Sequence, residues 1–289
     1  MDFLKAIILG IVQGVTEFLP ISSSGHLSIF QHFMNMSGEG SLSLTVFLHI
    51  GTLVAVVVVY YKTFLELLRQ MWGFIKELFT GKLSFKNVDN YRHMLYMMVL
   101  SCVPLLAIMI PVGNDMRVMD YVSRFSEDND IILEGVCFLL TAALLLGGTY
   151  VSKHKKDIRP RVEVKDAVAV GVAQLFAACL PGVSRSGSTI STGMLCGVDK
   201  DYMVRYSFVL GTPAVLAASI VEMKDVIEGG TANIEVLPVI VGIIVAALVG
   251  VASIKLLEKL VKTDKFKFFG YYCLVLGIAV ITAGIIEKF

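Results

Sequence analysis

Apolar residues come in blocks along this chain, and polar residues interrupt the blocks in two places that look alike. Residues 3–12 are apolar; Gln13, Thr16 and Glu17 then break the run, and Pro20 with Ser22, Ser23, Ser24 and Gly25 stops the helix. Ten helical residues rise only about 15 Å, half of a hydrocarbon core of roughly 30 Å. A second short apolar stretch, 27–36, follows. Two half-helices around a polar turn predict a re-entrant hairpin over about 3–36. Such backbone is tolerated at membrane depth only inside protein or beside a wet cavity. Residues 44–79 predict one long helix, apolar at 53–61 and amphipathic afterwards through Lys62, Glu66, Arg69, Lys76 and Glu77. Crossings are predicted at 95–111 and 131–151. Beyond a basic connector the plan repeats. A half-helix at 167–180 stops at Pro181-Gly182, and 191–198 returns, giving a second hairpin over about 165–198. Crossings at 203–221, 236–257 and 268–286 complete the chain.

The two hairpins share wording as well as plan. Residues 13–26 run QGVTEFLPISSSGH, and residues 174–189 run QLFAACLPGVSRSGST. Each has Gln, then Leu-Pro at the same spacing, then serines and a glycine. Gly51-Thr52 follows the first and Gly211-Thr212 the second. The expected organisation is two copies of one unit, 1–152 and 162–289, each a hairpin plus three transmembrane helices. Three is odd, so the second copy enters the membrane inverted. The expected fold class is therefore an all-α polytopic membrane protein built as an inverted-topology repeat.

Composition agrees with that class. Of 289 residues, 56% are hydrophobic and only 17% charged, with a mean hydropathy of +0.76. Soluble domains are roughly 45–50% apolar and about 25% charged. A net charge of +1 argues against a nucleic-acid partner. The distribution of charge orients the chain. The basic stretches 69–92, 153–165 and 255–267 are expected in the cytoplasm, and the acidic stretches 115–130 and 222–235 outside. On that orientation the first hairpin dips in from outside, the second from the cytoplasm, and their tips meet near mid-membrane. The five cysteines lie scattered in apolar segments without metal or redox spacing and are expected to be filler. The N-terminus lacks a basic region and a small-residue cleavage site, so no removable signal peptide is expected.

Candidate chemistry concentrates at the tips. Glu17 is a carboxylate in an apolar segment, and Gln13, one turn earlier, shares its face. A structural pair between half-helices would also explain them, but intramembrane ionisable groups are functional by default. His26 follows the serine turn and could serve as base, acid, nucleophile or ligand, or simply pack. His49 and His93 stand apart from any polar cluster and are weaker candidates; His32 and His154 are expected at surfaces or interfaces. Arg185 sits between Ser184 and Ser186, just after Pro181-Gly182 and just ahead of a helix. Glycine permits close backbone approach, helix N-terminal amides favour anions, and a guanidinium fork matches phosphate oxygens. Together these describe a phosphate cradle. An Arg185–Glu17 salt bridge is expected in the empty protein too. Ser22, Ser23, Ser24, Ser184, Ser186, Ser188 and Thr189 include candidate nucleophiles, most of them hydrogen-bonding filler for the turns. Spacing alone selects none.

Both motifs resemble those of the bacterial undecaprenyl-diphosphatases of the bacitracin-resistance type. The first motif of that family matches Gln13 to His26 and the second Pro181 to Thr189; the likeness spans essentially the whole chain. Gln13 departs from the glutamate that many members carry, so any proton role at this pair falls on Glu17. The resemblance implies hydrolysis of undecaprenyl diphosphate to undecaprenyl phosphate and inorganic phosphate, recycling the carrier for wall polymers and giving bacitracin resistance. It implies a divalent cation, Mg or Ca, placed at Glu17 with Gln13. It implies Glu17, Ser23, His26 and Arg185 as catalytic, with either Ser23 or His26 as nucleophile. Gln13, Ser22, Ser24, Gly25, Ser184, Ser186, Gly187 and Thr189 would then bind substrate. It also implies a polyprenyl diphosphate lipid as partner and the bacterial cytoplasmic membrane, with an outward-facing site. Membrane lipids surround the chain, and a homodimer is left open.

A lipid-phosphate transporter or flippase is the rival class, because inverted repeats with broken helices and a midplane site also build transporters. It would use Arg185 equally well but has no evident need of Ser23, His26 and Glu17 together. A channel or purely structural protein leaves the tip chemistry unexplained.

Overall fold

A computed structural model describes residues 3–34, 39–81, 89–110, 131–180, 182–228 and 236–288. The described residues form eleven α-helices. In chain order they are α1 (Phe3–Thr16), α2 (Ser23–Phe33), α3 (Glu39–Val59), α4 (Tyr61–Thr80), α5 (Asn90–Cys102), α6 (Ile131–His154), α7 (Val164–Cys179), α8 (Arg185–Cys196), α9 (Lys200–Glu228), α10 (Val236–Lys262) and α11 (Lys267–Glu287). A 3-10 turn, Pro104–Met109, extends α5, because Pro104 has no N–H to continue the ladder. Among the described residues, five spans are long and apolar enough to cross a membrane, and a sixth if α3 and α4 are taken together. This is an all-α, multi-pass membrane protein.

The single helix expected over 44–79 is two helices. α3 and α4 meet at 85° around Tyr60, whose φ of −105° and ψ of 25° leave the helical region. The Tyr60 hydroxyl donates to Glu258 at 2.8 Å, anchoring the corner to α10. The break falls where the apolar run ends and the charged face begins. A perpendicular α4 keeps Lys62, Arg69 and Lys76 out of lipid while Leu65, Leu68 and Trp72 stay exposed. The second returning half-helix starts at Arg185, six residues before the expected 191, because Ser184 caps it. Pro181 and most of the two acidic stretches expected outside, 115–130 and 222–235, lie outside the described residues.

Small residues set the packing around the hairpins. Gly242, Ala246 and Gly250 form a stripe on α10 that receives both α1 and α3. A Cβ at Gly14 would stand 2.7 Å from the Ala246 carbonyl oxygen, and one at Gly51 would stand 2.4 Å from that of Ile243. In lipid, where apolar burial gives helices little reason to associate, such close backbone approach is what binds them. α7 packs on α5 and the 3-10 turn in a similar manner: Gly171 faces the Ser101 carbonyl oxygen, and Ser101 Oγ donates to Ala167 at 2.8 Å.

The connector ahead of α7 is a latch. Arg159 donates to both carboxylate oxygens of Asp166, at 2.5 and 2.8 Å, and to the Cys196 carbonyl at 2.8 Å. Lys155 donates to that same carbonyl at 2.9 Å, so the C-terminal end of α8 is capped by two cations. Burial alone would raise the Asp166 carboxyl, but the Arg159 fork outweighs it and holds the group below its ordinary value. Stability from this pair is present above the ordinary aspartate range and lost as pH falls through the lowered value. Detergent-solubilised protein should therefore keep its melting temperature from neutral pH down to that range and lose it below. Asp166→Asn should melt a few degrees lower at neutral pH and lack that acid step.

Candidate active site

The first turns of α2 and α8 are built alike. Ser22 Oγ accepts the Gly25 N–H at 3.2 Å, and Ser184 Oγ accepts the Gly187 N–H at 3.0 Å. Each serine is the N-cap of a half-helix, and the glycine three residues on leaves room for it. The residue after each cap is the first of its helix: Ser23 in one hairpin, Arg185 in the other. Both reach the same carboxylate. Ser23 Oγ donates to Glu17 Oε2 at 2.7 Å, and Arg185 Nη2 donates to Glu17 Oε1 at 2.6 Å. Gln13 Nε2 adds a longer bond to Oε2, 3.2 Å, from one turn back on α1. The tips are tied again where the Gly182 N–H donates to Ser24 Oγ at 3.2 Å; Gly182 takes a φ of 101°, which glycine adopts without strain.

Around this contact lies a cavity of about 20 Å³ lined by Glu17, Thr52, Arg185, Gly211 and Thr212 among others. That is room for one water molecule. Both Gly-Thr echoes in the sequence thus converge on the site. Thr52 and Thr212 line it, and Gly211 makes space for the arginine: a Cβ there would stand 1.4 Å from Arg185 Nη1. Gly211→Ala should therefore expel the guanidinium from its seat on Glu17. It should lower turnover nearly as far as loss of Arg185 itself, about a hundredfold or more, while the purified protein stays folded. Hydrolysis assays beside a melting curve check this.

Sequence reasoning grouped residues that the structure separates. His26 bonds neither Glu17 nor Arg185; its ring nitrogens meet the Ser22 carbonyl and the Tyr272 hydroxyl, each at 2.7 Å. Ser184 and Ser186 are buried, their hydroxyls 3.4 Å apart, and Thr189 Oγ1 bonds the Arg185 carbonyl at 2.9 Å and the Ser207 hydroxyl at 2.5 Å. These side chains shape the α8 turn rather than line the cavity. His49, set aside for want of polar neighbours, is close to the centre. Its Nε2 stands 3.8 Å from Glu17 Oε2, and its Nδ1 meets the Thr45 carbonyl at 2.8 Å. Its position two residues before the Gly51-Thr52 echo was the available signal.

No group of three or more His, Cys, Asp or Glu side chains able to hold a metal occurs among the described residues. One observation does fit a hard cation. Gln13 Oε1 is buried and has no hydrogen-bond partner among the described residues, although its amide nitrogen is bonded to Glu17.

The sequence profile of bacitracin resistance protein BacA matches residues 6–279. The chain belongs to this family. An undecaprenyl-diphosphatase of Alkaliphilus metalliredigens is 36% identical over 281 residues, covering 97% of this chain and 98% of that protein. One of Bacteroides thetaiotaomicron is 34% identical over 284 residues, with 97% and 98% covered. One of Desulfatibacillum aliphaticivorans is 36% identical over 289 residues, with 99% and 100% covered.

Proposed function

We propose that this chain hydrolyses undecaprenyl diphosphate to undecaprenyl phosphate and inorganic phosphate in the bacterial cytoplasmic membrane. The observation that carries the reading is a serine hydroxyl and a guanidinium on opposite oxygens of one buried carboxylate, each at the start of a half-helix. Ser23 Oγ attacks the terminal phosphorus while its proton passes to Glu17. The bond from that phosphorus to the bridging oxygen breaks, and undecaprenyl phosphate leaves with the bridging oxygen. Glu17 passes that proton to the departing bridging oxygen and is a carboxylate again. Water then attacks the phosphoserine, giving a proton to Glu17 as the P–Oγ bond breaks; Glu17 returns it to Ser23 Oγ, and inorganic phosphate departs. Arg185 holds the non-bridging oxygens through both steps, aided by the amides opening α2 and α8.

The cavity as it stands is too small for a phosphate, so Arg185 must exchange Glu17 for substrate oxygens as the headgroup enters. That exchange frees Glu17 to act as base. Beside the cavity runs an apolar groove of about 720 Å³ between α3 and α9, lined by Val54, Val57, Leu216 and Ile220 and sharing Leu53 and Thr212 with it. An isoprenoid chain lies there with its diphosphate at Glu17 and Arg185. A divalent cation, Mg or Ca, would be held by Glu17 and Gln13 Oε1, both hard oxygen donors. When bound it would neutralise charge on the phosphate oxygens.

The two halves, 1–152 and 162–289, are on this reading inverted copies. Support comes from the matching N-caps and from α1 on α10 answering α7 on α5. A flippase is disfavoured because it leaves the Ser23–Glu17 bond without a purpose. Purified protein given undecaprenyl diphosphate should release phosphate, and Ser23→Ala protein should not. Lipid translocation without phosphate release would overturn the reading.

A further inference from the structure

We propose that Tyr272, on the last helix, is a positioning residue for the serine turn and acts through His26, which it holds out of the chemistry. Ser22, immediately before Ser23, has φ 73° and ψ 101°, a left-handed conformation in which a side chain is strained. Such a residue persists only where its surroundings over-determine it. Here they do. The Ser22 carbonyl receives the His26 ring at Nδ1, 2.7 Å, and the His26 backbone N–H at 3.3 Å, while Ser22 Oγ caps Gly25. A carbonyl only accepts, so Nδ1 carries the proton. Nε2 of the neutral ring is then an acceptor, and it is filled by the Tyr272 hydroxyl at 2.7 Å.

Packing fixes the ring as firmly as the hydrogen bonds. The Tyr272 and His26 rings lie nearly parallel, 9° apart with centroids at 5.8 Å, and Phe138 meets the imidazole edge-on at 5.1 Å. A Cβ on Gly25 would stand 2.9 Å from Phe138 Cζ, so the glycine of the turn is what lets this wall close. With both nitrogens committed, His26 has no lone pair to offer phosphorus. Its effect on the reaction runs through the Ser22 carbonyl to the orientation of Ser23, whose hydroxyl must point at Glu17. Tyr272 comes from α11, at the far end of the chain, so the first hairpin is set by the second half.

The inference rests on Ser23 being the group that attacks. Asparagine places an amide donor where Nδ1 stood and cannot act as a nucleophile. His26→Asn should therefore keep turnover within about tenfold of wild type, while His26→Ala, which frees the turn, should lose about a hundredfold. Tyr272→Phe keeps the ring stack and removes one hydrogen bond; its kcat should fall about tenfold with KM unchanged. Nitrogen-15 NMR of histidine-labelled protein, assigned by the signal missing from His26→Asn, should show the Nδ1–H tautomer. Three results would overturn the proposal: His26→Asn as inactive as His26→Ala, an unchanged kcat in Tyr272→Phe, or an Nε2–H tautomer. The tautomer is read without substrate, so it decides the positioning even if wild type released no phosphate, a result that would sink the functional reading instead.

Discussion

Arg185→Lys should leave a folded protein with little activity, and Arg185→Ala should leave less still. Lysine keeps the charge but loses the planar fork that can hold two phosphate oxygens at once. Removing a donor aimed at developing charge costs about 10²–10³ in turnover, and Arg185 is placed to act in both half-reactions. Alanine does a second harm. Glu17 is buried, and without its partner an uncompensated carboxylate remains among apolar helices. Breaking such a pair costs about 3–5 kcal/mol. The two harms separate in a double variant. Arg185→Ala with Glu17→Gln should regain much of the stability lost by Arg185→Ala alone and none of the activity. Near-normal turnover by folded Arg185→Ala protein would remove the phosphate clamp from the mechanism.

Glu17→Gln by itself should abolish hydrolysis, by about 10²–10⁴ from loss of the base alone. The isosteric amide can still accept from Arg185 through its one oxygen and donate to Ser23 Oγ through its nitrogen, so folding should survive. Gln13 cannot substitute, because an amide does not take the proton. Gln13→Glu should be tolerated and should change the dependence on divalent cations, since the Gln13 Oε1 is buried with no hydrogen-bond partner among the described residues. Phosphate release from undecaprenyl diphosphate, with melting temperature followed in parallel, tests both variants. Wild-type-like turnover in Glu17→Gln protein would leave Ser23 without a base and would turn attention to His49, whose Nε2 stands 3.8 Å from Glu17 Oε2.

Much of the fold was legible because lipid makes its demands locally. A block of apolar residues long enough to cross must be a helix, since no water satisfies its backbone, and this holds for α6, α9, α10 and α11 whatever surrounds them. The hairpins were legible for a related reason: ten to sixteen apolar residues cannot cross, Pro20 cannot continue a helix, and the serines after it cap a new one. The corner at Tyr60 was not. Residues 44–79 contain no proline and no turn cluster that would mark a stop, and the Tyr60–Glu258 bond that anchors the corner comes from α10, 198 residues away.

At the site, the sequence by itself determined which residues are too costly to bury without a function. Glu17, Gln13 and Arg185 stand out because charge and amide in lipid must be answered by a partner. It also determined the paired turns, since Ser-x-x-Gly caps form within four residues. Which groups answer one another was decided by tertiary structure alone. Nothing within α3 marks His49 as a neighbour of Glu17, nothing within α9 says that Gly211 is the seat of Arg185, and no local pattern joins His26 to Tyr272, 246 residues away. Chain-local energies set each turn, but a side chain's direction in space depends on how close the backbones come. Here that closeness follows from small residues on helices distant in sequence, at Gly242, Ala246 and Gly250 above all.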